Sequence, residues 1–182
     1  MSVRDQARIR KNKLEVWGQY LELGRAAYEL GQFNIGDKML KAALQESGTD
    51  MEMCLALAAV FEEAADTLLQ NKNQEKAERL FKKALSVYDR VSNDTTNAKA
   101  CCVLYKLAEL SIERNKHEVA LRYFGKALIV SRRSHSLPAQ LHLSLLKNLA
   151  AAWSRKGRHD EAMMVHNKSL QVSEGFERTS TP

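Results

Sequence analysis

The sequence predicts an all-α fold: an α-solenoid of four helix-turn-helix pairs wound into an α-α superhelix. Two observations carry this. Helix breakers are scarce, with eight glycines and two prolines in 182 residues, and both prolines, Pro138 and Pro182, lie outside the strong helical patterns. The chain also repeats itself. Gly24, Ala65, Ala108 and Ala150 stand 41, 43 and 42 residues apart, and Gly36, Ala77, Ala120 and Ala162 follow each by 12. Leu40, Phe81, Phe124 and His166 keep the same register, as do Ala43, Ala84, Ala127 and Ser169, and Leu44, Leu85, Leu128 and Leu170. Small residues in the first two columns let the helices of a pair approach closely. A single pair cannot bury its apolar face alone, so it stacks on the next.

Taken in order, the first helix starts near Ser2, which forms a capping-box pattern with Asp5. Val3, Ala7, Leu14, Trp17, Leu21, Gly24 and Tyr28 then share one stripe, interrupted by Arg10, as far as about Leu30. Residues 1–16 are a basic extension carrying Arg4, Arg8, Arg10, Lys11 and Lys13. Gly31 turns the chain and Phe33 packs at the turn. The pairs span about 17–48, 49–92, 93–134 and 135–173. Thr49 with Glu52 is expected to cap the third helix. Asn71 to Asn73 turns the second pair, a polar loop runs from Ser92 to Asn97, and Asn115 marks the third turn. Pro138 suits the first turn of the seventh helix, where its missing N–H costs nothing. Gly157 turns the fourth pair, and 174–182 is expected to be a flexible tail. His166 and Ser169 replace the aromatic and alanine of the earlier pairs, as a polar terminal repeat requires, so both are expected to be at least partly exposed.

Charge and cysteine usage narrow the function classes. The formal net charge is +6, ordinary for solubility although also compatible with an acidic partner or nucleic acid. Cys54, Cys101 and Cys102 are odd in number and lack metal-ligand spacing, which suits reduced, small apolar residues of a cytoplasmic protein. No apolar run approaches the roughly 20 residues needed to span a bilayer, and the basic N-terminus lacks the apolar core of a signal peptide. His135 and His142, and His159 and His166, are seven apart rather than four, so no helical metal site is expected. His117 and His159 follow their turns as Phe33 does and are read as turn-packing rings. Met163 and Met164 are read as core or end-surface packing. No nucleophile comes with a placed base, and no Gly-rich phosphate loop occurs. Neither a cofactor nor a metal is expected, and an enzyme has no support.

The registered columns resemble the tetratricopeptide repeat over about Trp17 to Val172. The first unit meets its scheme with Leu23, Gly24, Gly31, Phe33, Gly36 and Ala43, and the fourth with Leu149, Ala150, Gly157, Ala162 and Leu170. The common form has a period of about 34, and the longer period here resembles the repeats of kinesin light chains. The resemblance implies a right-handed superhelix whose concave groove holds a segment of another protein. Asn148-Leu149-Ala150 matches the N-L-A of the light chains, whose asparagine contacts a bound peptide; Glu22, Glu63 and Lys106 occupy that position in the other units. The carboxylate clamp of chaperone-binding relatives is not matched, since Leu21, Arg25, Cys102 and Lys106 stand at its positions.

By helical spacing, the candidate groove residues on the first helix of each pair are Glu22, Arg25 and Glu29; Glu62, Glu63, Asp66 and Gln70; Lys106, Glu109 and Glu113; and Lys147, Asn148 and Arg155. Units one to three are mainly acidic there and unit four is basic. The second helices are basic instead, with Lys38, Lys41, Lys76, Arg79, Lys82, Lys83, Arg122 and Lys126, followed by Arg132 and Arg133; Glu75–Arg79 and Glu78–Lys82 are self-neutralising i, i+4 pairs. The expected function is a protein-binding scaffold or adaptor that takes a basic or amphipathic peptide or helix, acting as a monomer without membrane contact. The alternative is a nucleic-acid or acidic-surface binder using the basic N-terminal arm and the outer helices. It lacks aromatic residues interleaved with the basic ones for base stacking.

Overall fold

The computed structural model describes residues 3–132 and 139–179, and the described residues contain helices and no strand. The helices are α1 (Val3–Glu29), α2 (Phe33–Ser47), α3 (Met51–Gln70), α4 (Gln74–Arg90), α5 (Asp94–Glu113), α6 (His117–Ser131), α7 (Ala139–Arg155) and α8 (His159–Thr179). They pack as four pairs, α1 with α2, α3 with α4, α5 with α6 and α7 with α8, in the repeat architecture of an α-solenoid. The chain divides into two compact units, Met1–Val91 and Ser92–Pro182.

All four intra-pair turns have one geometry. Gly31, Lys72, Asn115 and Gly157 take positive φ of 73°, 57°, 56° and 74°, and they fall in register with the repeat. The next residue's N–H reaches back to close the helix end: Gln32 to the Ala27 carbonyl, Asn73 to Leu68, Lys116 to Ser111 and Arg158 to Trp153, at 2.7–3.1 Å. This is the Schellman arrangement, which satisfies carbonyls that a helix end otherwise leaves unpaired.

In the first unit the small columns do what their size predicts. A Cβ on Gly24 would stand 2.4 Å from Leu40 Cδ2, and one on Gly36 would stand 2.6 Å from the Tyr28 ring. Leu40, Ala43, Leu57, Phe61, Ala65, Phe81 and Ala84 fill the core. The Asp37 carboxylate accepts from both the Tyr28 hydroxyl and the Lys83 ammonium at 2.7 Å, tying the first pair to the second. Burial works against the Asp37 charge, but those two hydrogen bonds, with the charges of Lys83 and Arg79, outweigh it and hold the carboxyl below its usual range.

In the second unit Ala108, Ala120, Phe124 and Ala127 are buried, and α7 packs on α6 and α5. Cys101 donates its thiol to the Ala127 carbonyl at 3.5 Å. Burial, then the adjacent Cys102, push that thiol up to about 12, so it is a packing residue rather than a nucleophile. All three cysteines are free thiols.

Several boundaries differ from the sequence expectation. The third helix is capped by Asp50, which accepts from Met53 N at 3.1 Å, rather than by Thr49. A carboxylate one residue nearer the helix faces the positive end of its dipole. The fifth helix starts at Asp94, inside the expected loop, because Asn93 and Thr96 form a reciprocal capping box. The eighth helix continues to Thr179 across much of the expected tail. His166 is exposed, but Ser169 is buried at 1%, its hydroxyl satisfied by the His166 carbonyl at 2.7 Å. A small residue that bonds within its own helix can fill the alanine column without an unpaired polar group. Ser2, Arg133, His135 and Pro138, with the expected break from Ser134 to Leu137, lie outside the described residues.

Candidate functional site

The candidate groove residues lie on the first helices, and the structure sorts them by what they touch. In the first unit Glu22, Glu29, Glu63 and Gln70 are exposed and Arg25 and Asp66 are partly covered. Arg25 stands between two carboxylates, 3.4 Å from Glu63 on α3 and 3.9 Å from Glu22 on α1. The acids outnumber the base, so this face remains acidic. Glu62 is not on that open face. It accepts a hydrogen bond from the Tyr88 hydroxyl of α4 and works as an intra-pair tie.

In the second unit Asn148 and Lys106 are partly covered, whereas Glu109, Glu113, Lys147 and Arg155 are exposed. Asn148 donates its amide to the Tyr105 hydroxyl at 2.6 Å, linking α7 to α5. Burial raises the Tyr105 phenol, and its hydrogen bond to Glu109 adds to that, so the ring stays neutral and presents a Glu109–Tyr105–Asn148 row. Sequence reasoning named the outer two members and missed Tyr105. The signal was available, because Tyr105 and Glu109 are i, i+4 on one helix face.

The basic second helices are largely spoken for in the first unit. Arg79 pairs with Glu75 at 2.9 Å, Lys82 with Glu78 at 2.6 Å and Lys83 with Asp37, while Lys76 lies 4.2 Å above the Phe33 ring. Lys76, Arg79, Lys83 and Asp37 border a cavity of about 320 Å³ lined also by Tyr28, Phe33 and Leu80. Lys38, Lys41, Arg122, Lys126 and Arg132 are exposed, as are Arg8, Arg10, Lys11 and Lys13 of the N-terminal arm. Arg10 approaches Asp50 at 3.9 Å.

The rings placed after the turns differ from one another. Phe33 and His117 are partly buried, but His159 is exposed and borders an open groove between α7 and α8, which departs from the turn-packing role read for it. Arg158 covers the Trp153 face at 4.5 Å. Met163 and Met164 are both exposed, so they are end-surface residues rather than core. Among the described residues no group of three or more His, Cys, Asp or Glu is placed to hold a metal ion. No helix among them is long and apolar enough to cross a membrane.

A family model described as "Tetratricopeptide repeat" matches residues 99–175. No curated protein sequence matches the chain. Solved structures do. BtubC (BKLC) from P. vanneervenii is similar over 88% of this chain and 64% of its own length, with 17% identity and a TM-score of 0.62. MamA is similar over 98% of both chains, with 16% identity and a TM-score of 0.56. A putative kinesin light chain of nearly identical TPR-like repeats from Podosopora anserina covers 90% of this chain and 77% of its own, with 15% identity and a TM-score of 0.56. This chain thus spans just under two thirds of the first of these, and at such identities the likeness concerns the fold. Residues 99–175 thus match the tetratricopeptide repeat, and the four helix pairs share the fold of these repeat structures.

Proposed function

We propose that this protein is a non-enzymatic adaptor that holds a segment of another protein against the face of its first helices. One observation carries the reading: exposed and partly covered polar residues of that face are arranged as rows crossing neighbouring helices, Glu22–Arg25–Glu63 in one unit and Glu109–Tyr105–Asn148 in the other. Side chains already ordered by one another lose little further freedom when a ligand docks. The acidic excess of the first unit's row favours a basic or amphipathic segment, and Lys147 and Arg155 of the second unit favour an acidic group. Tyr105, a rigid ring with a polar tip, supplies contact area at small entropic cost.

The nucleic-acid reading rests on the exposed arm from Arg8 to Lys13. It is weakened by the neutralisation of Arg79, Lys82 and Lys83 within the fold. A pull-down at moderate salt, read by mass spectrometry and by nucleic-acid staining, separates the two. The adaptor reading expects one protein partner, retained by wild type and lost by a variant carrying Glu63→Lys, Asp66→Lys and Asn148→Ala that keeps its helical spectrum. Recovery of RNA or DNA that vanishes at higher salt, with no protein lost in the variant, replaces it with the alternative.

A further inference from the structure

Among the described residues, α1 and the α7–α8 pair each present an uncovered face of the repeat, and the two are counterparts. The flank of α3 turned away from α4 carries Leu57, Val60 and Ala64, all buried, and α3 packs on α1 and α2. In α7 the same register gives Leu145 and Leu149, also buried, with α6 and α5 against the helix. This flank is therefore how a first helix seats on the pair before it. In α1 the corresponding residues are Val16, Gln19 and Leu23, and all three are exposed, Val16 at 44% and Leu23 at 56%. Ile9 and Leu30, each seven residues further along, extend the stripe and are exposed too.

The other end offers the seat. In the third pair, where α7 lies on α6, Leu121 and Phe124 are buried. Their counterparts in the fourth pair, Met163 and His166, are exposed and border an open groove of about 550 Å³ with Ala150 and Ala162 at its floor. Met163 is 59% exposed. We propose that α1 of a second copy occupies this groove as a ninth helix would, with Val16 and Leu23 against Ala162 and Met163, so that copies associate head to tail.

The charges agree with that register. Asn148 of α7 reaches Tyr105 of α5 at 2.6 Å; one pair further on, those two positions are Glu22 of the incoming α1 and Lys147 of α7. An acid at the Glu22 position already pairs with a base of the preceding pair in the first unit, where Glu63, the counterpart of Glu22, stands 3.4 Å from Arg25, one helical turn along from the Lys147 position. Because head and tail are different surfaces, the contact is heterologous and does not close at a dimer by itself.

Sedimentation velocity from micromolar to hundreds of micromolar tests this. The average mass of wild type should rise with concentration and pass the dimer. Leu23→Asp and Met163→Asp should each weaken association by about tenfold or more. Mixed, they should form a discrete dimer, because the first keeps its groove and the second keeps its stripe. Glu22→Lys and Lys147→Glu should each weaken association, and one chain carrying both should recover it; these exposed sites serve if an aspartate variant fails to fold. A wild type that stays monomeric, one that stops at a dimer, or association indifferent to Met163→Asp overturns the proposal. A groove reserved for a helix of another protein would give the first of those results.

Discussion

Individual residues in this fold are tolerated according to the space at their Cβ. Gly24, Gly36 and Gly125 are all helical, yet only Gly125 has nothing within 4 Å of an added Cβ. Gly125→Ala should therefore stabilise the protein by about 0.5–1 kcal/mol through helix propensity alone. In Gly36→Ala the new methyl meets a Tyr28 ring that is itself held by Asp37. The overpacking cost exceeds the propensity gain, and a net loss of about 1–2 kcal/mol is expected. Urea denaturation of the two variants should give midpoints moving in opposite directions. His142 makes a second residue-scale prediction. Its Nδ1 lies 3.2 Å from the Ser131 hydroxyl, which already donates to the Leu128 carbonyl, so the ring nitrogen is the donor. Burial, then the charges of Arg132 and Lys168, hold its imidazole below the usual 6.5. The unfolded chain then takes up the proton first as pH falls, so the stability this neutral ring contributes is present above about 6.5 and lost as pH drops through the folded value. His142→Gln should reduce the fall in urea midpoint on mild acidification, and an unchanged pH dependence would refute the assignment.

At the scale of the element, the turn decides where each pair folds back. Two of the four αL positions hold glycine and two hold Lys72 and Asn115, at φ near 57°. Asparagine accepts this conformation with little strain, whereas lysine does not. Lys72→Gly should stabilise the first unit by about 0.5–1 kcal/mol, because the relief of strain exceeds the added entropy of the unfolded chain. The same change at Asn115 should do less. Thermal melts of both variants check the ranking, and equal effects would show that the turn hydrogen bonds, not φ, set the cost.

At the scale of the whole molecule, the columns show which faces of the described helices are uncovered. Leu40, Phe81 and Phe124 are fully buried, and His166, exposed on α8, breaks the series. His166→Phe restores an apolar side chain at the edge of the open groove. If copies join head to tail, it should lower the concentration at which association appears in sedimentation by about tenfold, on the order of what a buried aromatic contributes to an interface. It should leave the helical spectrum unchanged. An unaltered sedimentation profile would mean that the groove is not where copies meet.

The sequence alone determined the number of helices, their pairing and the register of the repeat. Those follow from local rules: a small residue wherever two helices touch, a left-handed residue at each turn and an apolar period matching the helix. It misjudged the caps at Asp50 and Asn93, because several polar residues near a helix start compete and only the backbone path shows which oxygen reaches an N–H. What the tertiary structure decided was the availability of side chains. Glu62 shares a helical stripe with Glu63 and Asp66, yet Tyr88, 26 residues away, takes its carboxylate. Asn148 matches a peptide-contacting position of the light-chain repeats, yet Tyr105, 43 residues earlier, holds its amide. Ser169, read as an exposed cap, is buried. Helical periodicity places a side chain on a face, but whether it is free there depends on partners brought close by stacking, at separations that no local pattern encodes.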